Sequence, residues 1–249
     1  MNKKVFYDNI SDTGILTIDN PPVNCLSMDL IDSINTIIDQ IPNTAKILIF
    51  QSKGRGFCAG ADLKERAKMN DDDTIKTLEK YNYLFNKIDS LSIPTICAIH
   101  GYALGGGLEL ALSCDFRFAT VESKLGFPET SIGIIPGAGG TQRMTRLVGE
   151  SISKKWIFTA DKYDASEALN DNVIDRVFKN KKSMDEYIHN FSAKIKNNSK
   201  LAISLAKKAI SHSLGLNIIE NLNFERKQYL KTLSNPDRIK FLEKMRDKK

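Results

Sequence analysis

The 249-residue sequence predicts an α/β fold in which strands and helices alternate first and helices alone follow. Three observations support this prediction. Short β-branched runs alternate with amphipathic runs over the first part of the chain, and glycine-rich loops follow two of the strand-like runs. The last fifty or so residues show only helical periodicity. Such alternation favours crossover connections between strands, and a hydrophobic content of 41% is ample for a packed core.

The first half of the chain supplies the alternating elements. The run "GILTIDN" predicts a strand that ends in the turn "NPPVN", and residues 28–41 have the period of an amphipathic helix that stops before Pro42. The runs "KILIFQS" and "PTICAIH" are typical of buried strands, and residues 74–91 between them predict a second amphipathic helix.

The second half begins with a glycine turn and a short helix from about residue 106. The short strands "FRFAT" and "KLGF" follow, and from about residue 139 the patterns are mostly helical. We therefore expect residues 1–195 to form the α/β core. Residues 196–249 are expected to be helices that pack on this core or on a neighbouring subunit.

Composition argues against several classes of protein. No apolar run approaches the ~20 residues of a membrane span, and the first residues lack the apolar segment of a signal peptide, so we expect a cytoplasmic protein with no membrane contact. The four cysteines and three histidines lack the spacing of a metal site. The net charge of +6 is compatible with an anionic ligand or RNA, but the lysines are dispersed among acids, which makes nucleic-acid binding the less favoured alternative.

The loops "FCAGAD" and "GYALGGG" both place glycines where a strand ends. Glycine permits backbone conformations that direct N–H groups into a cavity, and the second loop begins a helix, whose first N–H groups are free. Side by side, the two loops would bind a phosphate or a developing oxyanion. The spacings of the known phosphate-binding loops are absent, so the glycines alone leave both possibilities open.

Two glutamates, Glu109 and Glu129, stand among apolar residues and glycines. Burial of an unpaired charge costs several kcal/mol, so each carboxylate must be paired, reach solvent or serve chemistry. Two carboxylates in different surroundings can act as acid and base. Glycoside hydrolysis also uses two carboxylates, but the chain has a single Trp where aromatic platforms for a sugar would be expected.

The segments "FCAGADLKE", "HGYALGGGLELALSCDFRFA" and "LGFPETSIGIIPGAGGTQRM" resemble the crotonase superfamily, the enoyl-CoA hydratase/isomerase family, in order and in spacing. The resemblance is strongest from about residue 50 to 150. It implies a spiral of ββα units with a helical C-terminal region that assembles trimers or hexamers. It also implies an acyl-CoA thioester as substrate, with coenzyme A as part of that substrate and no separate cofactor or metal.

Residue by residue, the resemblance implies roles for five positions. The backbone N–H groups of Ala61 and Gly106 resemble the two oxyanion-hole donors of the family. Glu109 and Glu129 match the two catalytic glutamates of its hydratase branch, and Gly137 resembles the glycine whose amide positions the reacting water. The presence of both glutamates favours reversible syn addition of water to an enoyl-CoA, giving a 3-hydroxyacyl-CoA in fatty-acid or branched-chain amino-acid degradation.

The resemblance also implies contacts with coenzyme A. The segment around the first donor resembles the thioester and pantetheine contact, and "FLEK" resembles a segment that reaches the adenine-phosphate end of a neighbouring subunit's ligand. The implied contact residues are Ala61, Asp62, Leu63, Lys64, Gly106, Phe241 and Lys244.

Two alternatives within the family stay open. The segment "FCAGADLKERAKM" is similar to methylglutaconyl-CoA hydratases. A 3,2-trans-enoyl-CoA isomerase would use mainly the glutamate at the Glu129 position.

Overall fold

The computed structural model describes residues 4–212 and 217–246 and shows two β-sheets. In chain order the strands are β1 (Val5–Ile10), β2 (Thr13–Ile18), β3 (Ile47–Ser52), β4 (Thr95–Ile99), β5 (Tyr102–Leu104), β6 (Phe116–Thr120), β7 (Lys124–Gly126), β8 (Tyr163–Asp164) and β9 (Arg176–Phe178). The larger sheet has the order β1-β2-β3-β4-β6-β9, and the smaller sheet has the order β5-β7-β8. All neighbours in the larger sheet are parallel except β1 and β2.

The helices connect these strands and then continue alone. They are α1 (Met28–Asp39), α2 (Leu63–Arg66), α3 (Asp71–Asp89), α4 (Gly106–Leu112), α5 (Gly140–Thr159), α6 (Ala165–Asn170), α7 (Lys181–Lys196), α8 (Lys200–His212), α9 (Ile218–Thr232) and α10 (Pro236–Arg246), with a 3₁₀ helix at Pro128–Ile132. Within the described ranges, no helix is both long and apolar enough to cross a membrane.

Both faces of the central strands of the larger sheet are buried. Along β3, Leu48 and Phe50 belong to the main core under α1, α3 and α4, while Ile47 and Ile49 pack on the opposite face with Met184 of α7. Alternate residues of a strand point to opposite faces, so a strand covered on both sides reads as a continuous apolar run. This explains why "KILIFQS" and "PTICAIH" are recognisable as strands in the sequence.

The predicted strands and helices are present, with four corrections. The glycine turn predicted after β4 contains the short strand β5, which pairs with β7. The second amphipathic helix begins at Asp71 rather than at residue 74, because Asn70 Oδ1 caps it by accepting from Asp73 N at 2.8 Å. The edge strand β1 was not predicted, since its second half, residues 8–10, is exposed and mostly polar. The region after residue 139 is not mostly helix throughout, because the short strands β8 and β9 extend the two sheets there.

The last three helices bury almost none of their own apolar side chains. Neither α8 nor α10 has a buried residue among those described, and α9 buries only Gln228. Large exposed apolar side chains on them include Ile210, Ile218, Ile219, Tyr229, Leu230, Phe241 and Leu242. The division into residues 1–195 and 196–249 stays a prediction.

Candidate active site

A cavity of about 1070 Å³ lies beside the start of α4. Its walls come from the loop after β3, the first turn of α4, the 3₁₀ helix and one side of α3. It brings together most of the residues singled out in the sequence, namely Ala61, Asp62, Leu63, Lys64, Gly106, Glu109, Glu129 and Gly137. Phe241 and Lys244 belong to α10 and do not line this cavity within the single chain.

The two glycine-rich loops are held together by main-chain hydrogen bonds. Cys58 N donates to Tyr102 O at 3.1 Å, and Leu104 N donates to Cys58 O at 3.0 Å. This pairing leaves no room for a side chain at Gly107, where a Cβ would lie 2.4 Å from Cys58 O. Main-chain hydrogen bonds and a close main-chain approach at Gly107 therefore hold the "GYALGGG" loop against the "FCAGAD" loop.

The main-chain N–H groups of Ala61 and Gly106 lie near each other where the two loops meet. A Cβ built on Gly106 would lie 3.6 Å from Ala61 N, so the two groups are close neighbours. Gly106 is the first residue of α4, and the first N–H groups of a helix have no acceptor within it. Among the described residues neither N–H has a hydrogen-bond acceptor. Both remain available to a ligand in the cavity.

Glu109 is buried, with 3% of its surface exposed, one helical turn beyond Gly106. Its Oε1 accepts hydrogen bonds from Ala138 N and Gly140 N, both at 2.8 Å. Burial raises the pKa of this carboxyl group, while the two N–H groups and the charge of Arg143 oppose that rise. Both hydrogen bonds thus go to Oε1, and Oε2 remains available to a ligand in the cavity.

Glu129 sits on the 3₁₀ helix across the cavity, in a different environment. Its Oε2 is buried and has no hydrogen-bond partner. Burial raises its pKa from 4.5 to about 7, its own backbone N–H opposes that rise, and the charge of Glu109 adds to it. Two nearby carboxyl groups whose surroundings differ in this way can divide the roles of acid and base.

The "IPGAGG" segment contributes more than the sequence indicated. Gly137 lines the cavity, and its carbonyl accepts from Asn82 Nδ2 at 3.0 Å. The amides of Ala138 and Gly140, which sequence reasoning missed, hold Glu109 instead. A Cβ at Gly140 would lie 2.8 Å from Glu109 Oε1, so a glycine is required there. The water-positioning role of Gly137 stays a prediction.

The segment Ala61–Lys64 is ordered by its own aspartate. Asp62 Oδ1 accepts from Lys64 N at 2.9 Å and from Glu65 N at 3.1 Å, which caps α2. Leu63 and Lys64 are exposed at the edge of the cavity. Three further lining residues, Cys25, Arg66 and Tyr81, were not singled out as site residues in the sequence.

Comparison with known proteins now identifies the family. The sequence profile described as enoyl-CoA hydratase/isomerase matches residues 11–248. The chain belongs to the enoyl-CoA hydratase/isomerase family. It is 40% identical over 245 residues to the probable enoyl-CoA hydratase 2, mitochondrial, of Arabidopsis thaliana, a match that covers 96% of this chain and 81% of that protein. It is 37% identical over 232 residues to the mitochondrial methylglutaconyl-CoA hydratase of Mus musculus, covering 91% and 74%.

Solved structures of this enoyl-CoA hydratase/isomerase family confirm the predicted fold. The crystal structure of an enoyl-CoA hydratase from Bacillus anthracis superimposes with a TM-score of 0.94 at 33% identity, covering 99% of this chain and 97% of that one. A structure described as enoyl-CoA hydratase subunit I from Geobacillus kaustophilus gives 0.90 at 30% identity, covering 97% and 96%. The crotonase-like α/β fold with a helical C-terminal region is therefore present. The roles of individual residues are a separate question.

Proposed function

We propose that this protein is an enoyl-CoA hydratase that adds water reversibly and syn across the 2,3 double bond of an enoyl-CoA to give a 3-hydroxyacyl-CoA. One observation carries the proposal: the buried carboxyl group of Glu109, held by two amides, and the half-buried carboxyl group of Glu129, whose Oε2 has no partner among the described residues, line the same cavity as two free main-chain N–H groups. The reaction transfers no electrons and needs only water, so it requires no separate cofactor. The family and the names of the relatives support this choice.

The N–H groups of Ala61 and Gly106 would bind the thioester oxygen. As hydroxide adds at C3, negative charge moves onto that oxygen and the thioester becomes enolate-like. Preorganised donors stabilise such charge more than the uncharged substrate, and one donor is worth ~3–4 kcal/mol of barrier. Both groups are main-chain donors held by the paired loops, so they lose little freedom on binding.

Glu109 and Glu129 would handle the protons of one water molecule. Glu109, stabilised as a carboxylate by two amides, takes a proton from water as the oxygen bonds to C3. Glu129, whose pKa of about 7 leaves it partly protonated near neutrality, gives a proton to C2. Glu109 then holds the proton that Glu129 has lost, and exchange through the next water restores the starting state.

The test is the loss of conjugated-enoyl absorbance on mixing the protein with crotonyl-CoA. We expect rapid loss, and formation of 3-hydroxybutyryl-CoA by mass. A gain of absorbance from a 3-enoyl-CoA, with crotonyl-CoA untouched, would overturn the proposal and indicate an isomerase.

A second candidate, hydration of a methylglutaconyl-type substrate, is favoured by Arg66. This side chain lines the cavity and has no hydrogen-bond or ion-pair partner among the described residues. A guanidinium would pair with the distal carboxylate of a dicarboxylic acyl group. Arg66→Met should then reduce kcat/KM for 3-methylglutaconyl-CoA far more than for crotonyl-CoA, with Lys64→Met as the matched control. Equal losses for both substrates would assign Arg66 to the phosphates of coenzyme A instead.

A homotrimer or homohexamer is also proposed, because α8, α9 and α10 expose large apolar side chains. In such an assembly Phe241, which is 57% exposed, and the exposed Lys244 would reach the coenzyme A of a neighbouring subunit. Light scattering measures the subunit number, and a monomer would overturn this proposal. Lys244→Met should raise KM for the CoA ester but not for the matching pantetheine ester, which lacks the nucleotide.

A further inference from the structure

Tyr81 is a buried residue of α3 that lines the cavity and has no role in the mechanism above. Only 4% of its surface is exposed, and its ring packs against Phe85. Its hydroxyl donates a hydrogen bond to the carbonyl oxygen of Leu26, 55 residues away in the chain. Burial raises the pKa of Tyr81, so the hydroxyl stays protonated and serves as a donor rather than as a base.

Leu26 lies in the loop between β2 and α1 and touches both oxyanion loops. Its N–H donates to Gly60 O at 2.8 Å. Its side chain is fully buried, and its Cδ1 would lie 3.2 Å from a Cβ on Gly106. Leu26 therefore connects the Tyr81 hydroxyl on one side to the donor-bearing loops on the other.

The bond to Gly60 O fixes a direction as well as a position. Gly60 C=O and Ala61 N–H belong to one peptide unit, and in a planar trans peptide these two groups point in opposite directions. When Leu26 N–H holds Gly60 O, the Ala61 N–H must point the other way, where it has no acceptor within the described chain. The orientation of this donor thus depends on the position of Leu26.

We propose that Tyr81 is a positioning residue for the reaction. Its hydroxyl binds the carbonyl of Leu26, and the N–H of Leu26 binds Gly60 O. Through these two hydrogen bonds Tyr81 sets the orientation of the Ala61 N–H. The proposal rests on the oxyanion role given above to Ala61. Gly60 has a φ of +93°, and because glycine has no Cβ to restrict its backbone, the residue itself allows other orientations of the peptide that carries the Ala61 N–H. Tyr81, which contributes the hydrogen bond to Leu26, lies on the long, capped helix α3.

The experiment compares Tyr81→Phe with Tyr83→Phe, a matched control on the same helix whose side chain is 62% exposed. Tyr81→Phe keeps the ring and its packing and removes only the hydroxyl. We expect kcat for crotonyl-CoA hydration to fall by about tenfold with KM changed by less than about threefold, because a lost donor orientation acts mainly on the transition state. Tyr83→Phe should match the wild type.

A second measurement separates positioning from simple stability. A cinnamoyl-CoA absorbs at longer wavelength when donors polarise its thioester carbonyl, and the shift per bound molecule does not depend on the fraction of folded protein. We expect the wild type and Tyr83→Phe to give the full red shift and Tyr81→Phe a smaller one. A full red shift and unchanged kcat in Tyr81→Phe would overturn the inference, whatever its Tm.

The two proposals fail in different ways. If the wild type neither hydrates crotonyl-CoA nor shifts the cinnamoyl absorbance, the oxyanion assignment itself is wrong. If the wild type does both and Tyr81→Phe matches it, only the role of Tyr81 is wrong.

Discussion

The carboxyl group of Glu129 lies against the main chain of Gly105. A Cβ on Gly105 would stand 2.7 Å from Glu129 Oε1, and Gly105 has a φ of +51°. Gly105 directly precedes Gly106, whose N–H is one of the proposed oxyanion donors. The carboxyl group of the proposed proton donor therefore contacts the residue that directly precedes one of the two proposed oxyanion donors.

Removing either carboxylate should nearly abolish hydration. Glu109→Gln and Glu129→Gln keep the shape of the side chain but cannot take or give the proton, and loss of general acid–base help costs at least ~100-fold in kcat. Steady-state assay with crotonyl-CoA measures this. The exposed Glu79→Gln on α3 serves as control and should match the wild type. Near-normal rates in either variant would rule out a two-glutamate mechanism. Conversion of a 3-enoyl-CoA that survives in Glu109→Gln but not in Glu129→Gln would point to isomerisation.

Hydration should depend on pH through the shared proton of the two glutamates. The productive state carries one proton between them. The value of kcat/KM should therefore be constant below about pH 7, where the pKa of Glu129 lies, and fall about tenfold per pH unit above it, a decrease called here the alkaline limb. Because the overall reaction releases no proton, dehydration of 3-hydroxybutyryl-CoA must show the same limb. Glu129→Gln should lose the limb from its residual activity. A flat profile between pH 6 and pH 9 would contradict the assignment.

Glu129 should also lower the stability of the fold at high pH. A carboxyl group whose pKa is raised from 4.5 to about 7 keeps its proton in the folded state after it has lost it in the unfolded chain, so the free energy of unfolding falls between these two values. The full shift corresponds to ~3 kcal/mol, which partial exposure reduces to ~1–2 kcal/mol. Glu129→Gln should therefore raise Tm at pH 8 and leave it unchanged near pH 4.5. An equal effect at both pH values would show that packing, not charge, is responsible.

Gly60→Ala should separate the two oxyanion loops. A Cβ there would lie 2.7 Å from Leu104 O and 3.2 Å from Gly106 N, so the loops must move apart. Gly54→Ala is the matched control, because Gly54 also has a positive φ, does not line the cavity, and its Cβ would meet nothing within 4 Å. We expect both variants to lose ~1 kcal/mol from backbone strain and only Gly60→Ala to lose more than tenfold in kcat. Equal kinetics in both variants would contradict the geometry.

Cys58→Ala should leave turnover largely intact. The Cys58 thiol is fully buried, burial raises its pKa to about 12, and its Sγ accepts from Gly60 N at 3.4 Å. A protonated, buried thiol cannot act as a nucleophile at neutral pH. Steady-state kinetics of the variant test this, and a hundredfold loss of kcat would instead indicate covalent catalysis.

The sequence predicted the elements that carry a strong period and the residues that carry a recognisable motif. "KILIFQS" and "PTICAIH" are buried on both faces and are therefore visible as strands, and Glu109 stands out because a carboxylate is unusual in an apolar helix. The edge strand β1 and the short strands β8 and β9 depend on partners supplied by other parts of the chain. Local periodicity contains no information about such partners.

The contacts that organise the site were harder to predict, because they are made by the main chain. The amides of Ala138 and Gly140 hold Glu109, and any residue except proline carries an amide. The bond from Tyr81 to Leu26 joins residues that no sequence motif connects. Phe241 and Lys244, proposed from the resemblance, lie on α10 outside the cavity of a single chain, so an assembly is needed to test them.

The paired loops around Cys58 and Gly107 have a consequence for how this protein can diversify. The two proposed oxyanion donors are main-chain groups, whereas Leu78, Ile132, Ile134 and Ile135 are apolar residues of the cavity wall. Exchange of those side chains reshapes the space for the acyl tail without disturbing the donors or the glutamates. The catalytic groups and the acyl-chain specificity are thus set by different residues. Substitutions in the cavity wall can change which acyl group is accepted while the catalytic groups stay the same.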